Sequence, residues 1–279
     1  MKKSAPVVIV LVLLPFVIFE WIPDLNRWLL SLGIPTAIGE LATSGPVLLV
    51  LTALAVGLAW VLVRIPRAVE RPTGQWRIAL SGFGLLFLPA LIGRLVDPSF
   101  DEVYARTAGL QTLDGLWIFL LGLPFWLLRE ELFLRFSQRW LTSCLGAAWT
   151  IMTVSALFSI LHYPAGFSDH AWSVLPGVFL GSIILAAVYE RTKSLWRTFA
   201  VHLVYDAVIA LQIMLHASGG ALGETVLWSV YGIVFLLTAR RGWRELRAAF
   251  HMEQRTRPLA VAAASALAVV IPLLIEFVF

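Results

Sequence analysis

Long apolar blocks recur along the whole chain, broken by short polar or glycine- and proline-bearing stretches. A helix needs ~20 apolar residues to cross the hydrocarbon core of a bilayer. Blocks of that kind fall at 5–22, 44–63, 78–96, 115–142, 147–162, 172–189, 195–216, 221–239 and 259–278. The pattern predicts an all-α, polytopic transmembrane bundle of about eight or nine spans. The short alternating segments of an outer-membrane barrel are absent from it. Residues 23–43 are mildly amphipathic and are expected on the membrane surface or re-entering it. No internal repeat or low-complexity tract divides the sequence, so 1–279 reads as a single membrane domain.

Composition supports this. The chain of 279 residues is 59% hydrophobic and 14% charged, where a soluble domain carries roughly a quarter charged residues. Its one cysteine, Cys144, excludes an intrachain disulfide framework. The net charge of +4 implies no nucleic-acid partner, because basic residues in a membrane protein chiefly set orientation. With the N-terminus in the cytoplasm, the segments on that side hold Lys2 and Lys3; Arg64, Arg67, Arg71 and Arg77; Arg135 and Arg139; Arg191, Lys193 and Arg197; and a run from Arg240 to Arg257. Acids such as Asp97, Asp101, Glu102 and Asp114 gather in one loop on the opposite face. Trp21, Trp76, Trp140 and Trp196 sit near span ends, as interfacial belts require. The basic, apolar N-terminus also has the form of a signal peptide, but no small-residue cleavage pattern follows, and a retained first span is expected.

Against this background, three polar clusters inside spans are candidates for function, because ionisable groups there are costly. They are Glu130, Glu131 and Arg135 in REELFLR; His162 in FSILH; and His202 with Asp206 in HLVYD. Glu131 and Arg135 share a helical face and can pair. Glu130 is rotated by ~100° and needs another partner. A carboxylate left unpaired in a desolvated site suits a general base. Taken alone, REELFLR also reads as a charged stretch at the end of a span. Depth argues otherwise. Gly146 is midway between Glu130 and His162 and lies in a turn-compatible stretch, so a hairpin there sets both ~24 Å from the turn. A second turn at 190–194 puts His202 ~15 Å and Asp206 ~21 Å deep. Four polar groups from three helices thus share one layer. His202 and Asp206 lie on one face, where a carboxylate orients an imidazole or joins it on a metal.

Other polar residues draw simpler expectations. His170, His216 and His251 are read as solvated or interfacial. Arg94 and Arg129 are read as snorkelling near span ends, with Arg129 also able to pair with a nearby acid, and Glu20 and Glu276 as reaching headgroups. SGFG and ASGG are read as sites of close helix packing or turns.

EELFLR, FSILH and HLVYD, in this order and on separate spans, resemble the EExxxR, FxxxH and HxxxN/D motifs of the CPBP family of CAAX-protease and bacteriocin-processing membrane proteins. The run FLGSIILAAVYERTKSLWRTFAVHLVYD is similar to the family's later motifs, and the resemblance covers about 115–210, the expected catalytic core. It implies an intramembrane endopeptidase, a helical bundle with an internal polar cavity, acting on a membrane-associated peptide or protein. By resemblance, Glu130 activates water with His162 assisting. His202 and Asp206 polarise the scissile carbonyl or stabilise the oxyanion, and Glu131, Arg135 and Phe158 support them. Many members carry Asn where this chain has Asp206. An ionised carboxylate cannot donate to an oxyanion, so Asp206 is protonated, orients His202, or joins a metal site. A metal-free mechanism is expected. Should zinc be required, Glu130, His162, His202 and Asp206 are the ligands. Two other functions stay open: a non-enzymatic immunity or scaffolding protein, and a transporter with a polar cavity. The lack of internal repeats counts against the transporter. Compact loops point to a prokaryotic inner membrane.

Overall fold

The computed structural model describes residues 49, 50, 52–54, 56, 57, 74–97, 99–162 and 171–251. Among these there are eight helices and no strands: α1 Gln75–Leu85, α2 Phe87–Val96, α3 Phe100–Thr107, α4 Leu113–Leu145, α5 Ala147–Leu161, α6 Ala171–Thr192, α7 Leu195–Ala217 and α8 Ala221–His251. The protein is an all-α polytopic membrane bundle. Among the described residues, four stretches are long and apolar enough to cross a bilayer: Gln75–Val96, Leu175–Thr192, Leu195–Ala217 and Ala221–His251. The expected spans at 5–22 and 259–278 lie outside the described residues, as does most of 44–63.

The helix breaks follow from local chemistry. Pro89 lacks the N–H that would bond to the Leu85 carbonyl, so α1 and α2 meet at Leu86 inside one apolar span. α4 starts at Thr112, whose side chain accepts from the Gly115 N–H at 3.1 Å. It runs for 33 residues, or about 50 Å, and ends at Gly146, whose φ of 82° is open to glycine and costly for other residues. The first hairpin therefore turns at the predicted residue. The second turns at Lys193, left-handed at φ 49°, before the Ser194 cap of α7.

α4 packs against α5 and α7, α5 against α6, and α6 against α1, α2 and α8. Phe133, Leu134, Phe136, Val154 and Phe158 form the apolar contact that locks α4 to α5. α8 lies along α1 because Gly242 is small: a Cβ there would come 2.7 Å from the Ser81 carbonyl oxygen. Gly82 and Gly84 of SGFG likewise make room for Val188 and Thr238, as expected for close packing. Leu222, Val226, Val230, Ile233 and Leu237 of α8 point outward in a stripe suited to lipid.

Two features differ from expectation. The acidic loop after α2 folds into helix α3 and buries Asp101, because Arg94 turns inward to meet it at 2.5 Å rather than snorkelling. α8 continues to His251, twelve residues past the expected end at 239. The extra turns carry Leu246, Ala249 and Phe250, which pack on Ile151, Ile183, Ala186 and Ala187.

Candidate active site

The REELFLR segment sits in α4 where it faces α7. Glu131 is fully buried there. One turn on, Arg135 donates to it from Nε at 2.7 Å and from Nη2 at 3.4 Å. The third donor, Nη1, reaches Gln138 Oε1 at 2.5 Å. The guanidinium also lies over the Tyr189 ring at 5.6 Å. A buried charge of this kind persists only when its donors are met, and here each of the three nitrogens has a partner.

α7 supplies the facing imidazole. His202 Nδ1 lies 2.9 Å from the second Glu131 oxygen, and Nε2 lies 3.6 Å from Asp206 Oδ2. A carboxylate held by a guanidinium can only accept, so Nδ1 of His202 carries a hydrogen. Nε2 is then the nitrogen free for chemistry, with Asp206 beside it. This contact between α4 and α7 is not legible in sequence spacing, which pairs Glu131 with Arg135 alone.

His162 follows the last residue of α5. Its Nδ1 lies 2.9 Å from the Phe158 carbonyl oxygen, an acceptor, so this imidazole also presents Nε2. The Phe158 ring is buried between the two histidines. Its centroid is 4.2 Å from His162 and 6.1 Å, edge-on, from His202. Ser159 donates to the Leu175 carbonyl at 2.9 Å and ties this end of α5 to α6.

The two histidines border a cleft of about 240 Å³. Its wall includes Phe158, His162, His202 and Asp206, with Tyr104 from α3; Glu130, Glu131 and Arg135 are not part of it. Glu130 is half-buried and interacts through space with His202, Arg129 and Glu131. Asp206 feels the charges of His202, Glu130, His162 and Glu131. Tyr104 is a residue the sequence does not flag. Burial and the nearby charges of Asp206 and Glu130 push its phenol well above the usual range.

A second polar cluster at the cleft's far end was also missed. Arg94 pairs with Asp101 and Glu224, His216 Nδ1 lies 3.2 Å from Glu224, and Gln212 donates to Asp101 at 3.0 Å. His216 is thus part of an ion-pair network joining α2, α3, α7 and α8, not a lone interfacial residue. Its residues come from two segments, 94–101 and 212–224, more than a hundred residues apart, and no local spacing announces their meeting.

The fit to zinc can be tested by spacing. Among the described residues, three possible ligand side chains bring their donor atoms within 4.8 Å of one another at Asp101, His216 and Glu224. The four expected residues do not. At the first group the Arg94 guanidinium already holds two of the acids. At the second, Glu131 holds His202 Nδ1–H and leaves Nε2 as the ligand atom, but no three of the four side chains bring donor atoms within that distance. Neither set fits a ready-made zinc site.

Residues 111–208 match the family model described as type II CAAX prenyl endopeptidase Rce1-like. No curated protein and no solved structure matches the chain. The matched segment spans α4 to most of α7 and contains all three motifs. Over residues 111–208, about a third of the chain, the motifs and this match make it similar to the CPBP or CAAX-protease family.

Proposed function

We propose that this chain hydrolyses a peptide bond of a membrane-associated peptide or protein inside the bilayer, by glutamate- and histidine-activated water without a metal. The observation that carries this reading is that His162, His202 and Asp206, from two helices, share the wall of one cleft, with Glu130 of α4 near enough for its charge to act on Asp206, in a chain otherwise poor in charge. Hydrolysis in a dry matrix needs water, a base and an oxyanion partner, and only inward-facing side chains can supply them.

Each group then has a task. Glu130 takes a proton from water while His162 Nε2 holds that water, and the hydroxide adds to the scissile carbonyl. His202, fixed through Nδ1 by Glu131, presents Nε2 to the carbonyl and, when protonated, donates to the oxyanion. Asp206 keeps that nitrogen oriented. The Tyr104 phenol is a second donor in the cleft, one that a carboxylate at 206 is not. Glu130 returns its proton to the departing amine as the C–N bond breaks.

The matched family is described as a CAAX prenyl endopeptidase, which supports a substrate processed near its C-terminus. The membrane is a prokaryotic inner membrane, with the N-terminus in the cytoplasm. Supporting this, basic residues from several chain segments meet at one end of the bundle: Arg191 pairs with Glu245, and Arg197 lies over Trp76. The test is mass spectrometry of membrane fractions from cells carrying Glu130→Ala or His162→Ala. Uncut precursors accumulate in both; a precursor pool identical to wild type in both excludes this chemistry.

A further inference from the structure

Behind Glu131 the polar contacts continue away from the cleft. Gln138 accepts from Arg135 Nη1 at 2.5 Å and donates through Nε2 to the Ala186 carbonyl of α6 at 2.7 Å. The same Nε2 lies 3.4 Å from Glu190 Oε2, and Glu190 also holds Lys193 at the turn into α7. Exposure along the line is 0% at Glu131, 2% at Arg135, 0% at Gln138 and 2% at Glu190. Burial this complete is uncommon for such residues unless each polar atom is paired.

The amide of Gln138 has no freedom to flip. Arg is donor-only, so Oε1 must face Arg135, and Nε2 must face the two acceptors on α6. That fixes one arm of the guanidinium. The other two nitrogens are then left for Glu131, one to each oxygen, and the oxygen facing Nη2 also meets His202 Nδ1 at 2.9 Å. Removing the Gln138 acceptor strands a buried N–H and frees the guanidinium to turn, and Glu131 turns with it.

We propose that Gln138 and Glu190 are positioning residues that set the orientation and tautomer of His202 through Arg135 and Glu131, linking the site to the α6–α7 turn. The catalytic effect rests on the proteolytic reading above; the structural effect does not. Glu131, Arg135 and His202 are the ends the motifs reveal. Gln138 and Glu190 lie outside them and are joined only by the packing of α4 on α6.

The test uses full-length protein in lipid, with ¹⁵N-labelled histidine and the His202 signal assigned by difference with His202→Asn. Wild type shows His202 with Nδ1 protonated as a single population. In Gln138→Met, which keeps side-chain length and removes both hydrogen bonds, His202 splits into a mixture of tautomers. Its kcat falls about tenfold with KM within about twofold, as a misplaced group costs turnover rather than binding. Should Gln138→Met not fold, Glu190→Gln, of equal shape, carries the test with a smaller change of about threefold in kcat and a shifted Nδ1 signal. A His202 spectrum that matches wild type in the folded variant overturns the proposal, even where peptide cleavage is observed. A His202 mixture in a protein that cuts no peptide leaves the positioning role standing and removes the proteolytic reading.

Discussion

His202 Nδ1 on α7 lies 2.9 Å from Glu131 Oε1 on α4, while the other Glu131 oxygen is held at 2.7 Å by Arg135. One carboxylate therefore bridges a cation on its own helix and an imidazole on another. Glu131→Ala leaves Arg135 buried beside an unmet imidazole N–H. The expected cost is roughly 3 kcal/mol of stability, the scale for breaking a buried pair from one side. Thermal unfolding in detergent checks it; a midpoint equal to wild type contradicts the bridge.

Asp206 is assigned the orientation of His202 Nε2, at 3.6 Å. An asparagine preserves that contact and adds an N–H donor for an oxyanion. Asp206→Asn is accordingly expected to keep activity within about fivefold of wild type, or to raise it, while Asp206→Leu loses about a hundredfold. Peptide-cleavage rates for the pair decide it. A large loss in Asp206→Asn shows that the charge itself is required.

Chelation separates the two chemistries. On the proposed metal-free reading, incubation with 1,10-phenanthroline or EDTA is expected to leave cleavage within about twofold of the untreated protein. Loss of activity that added zinc restores contradicts the metal-free account.

Arg94 joins Asp101 and Glu224, which lie on different helices from it and from each other. Arg94→Met leaves both carboxylates without their cation, Asp101 being buried. The expected loss is roughly 2–3 kcal/mol, discounted from a fully buried pair because the Arg94 side chain is partly exposed. Unfolding in detergent measures it, and restoration by the double change Arg94→Met with Asp101→Asn confirms that the stranded charge is the cause.

What the sequence reveals here is what periodicity and local spacing encode. Apolar blocks place the helices, and the turn at Gly146 follows from equal arm lengths and a residue that tolerates positive φ. The Glu131–Arg135 pair follows from the pitch of one helix. Contacts between distant segments are not encoded that way. The Glu131–His202 bridge, the Tyr104 wall, the Gln138–Glu190 tether and the Arg94 network each join residues whose meeting depends on how whole helices pack. Arg94 illustrates the failure. A lone arginine near a span end reads as snorkelling because one acid that captures it, Asp101, reads as part of a solvated loop and the other, Glu224, lies more than a hundred residues away.

The central claim is that Glu130 activates water for peptide hydrolysis. The direct measurement is cleavage of a membrane-anchored peptide by purified protein in proteoliposomes made up in H₂¹⁸O, comparing wild type with Glu130→Gln of equal thermal stability. Wild type is expected to release a product with one ¹⁸O in its new carboxyl group, and Glu130→Gln to be slower by about a thousandfold or more. Equal cleavage by the two proteins would contradict the account.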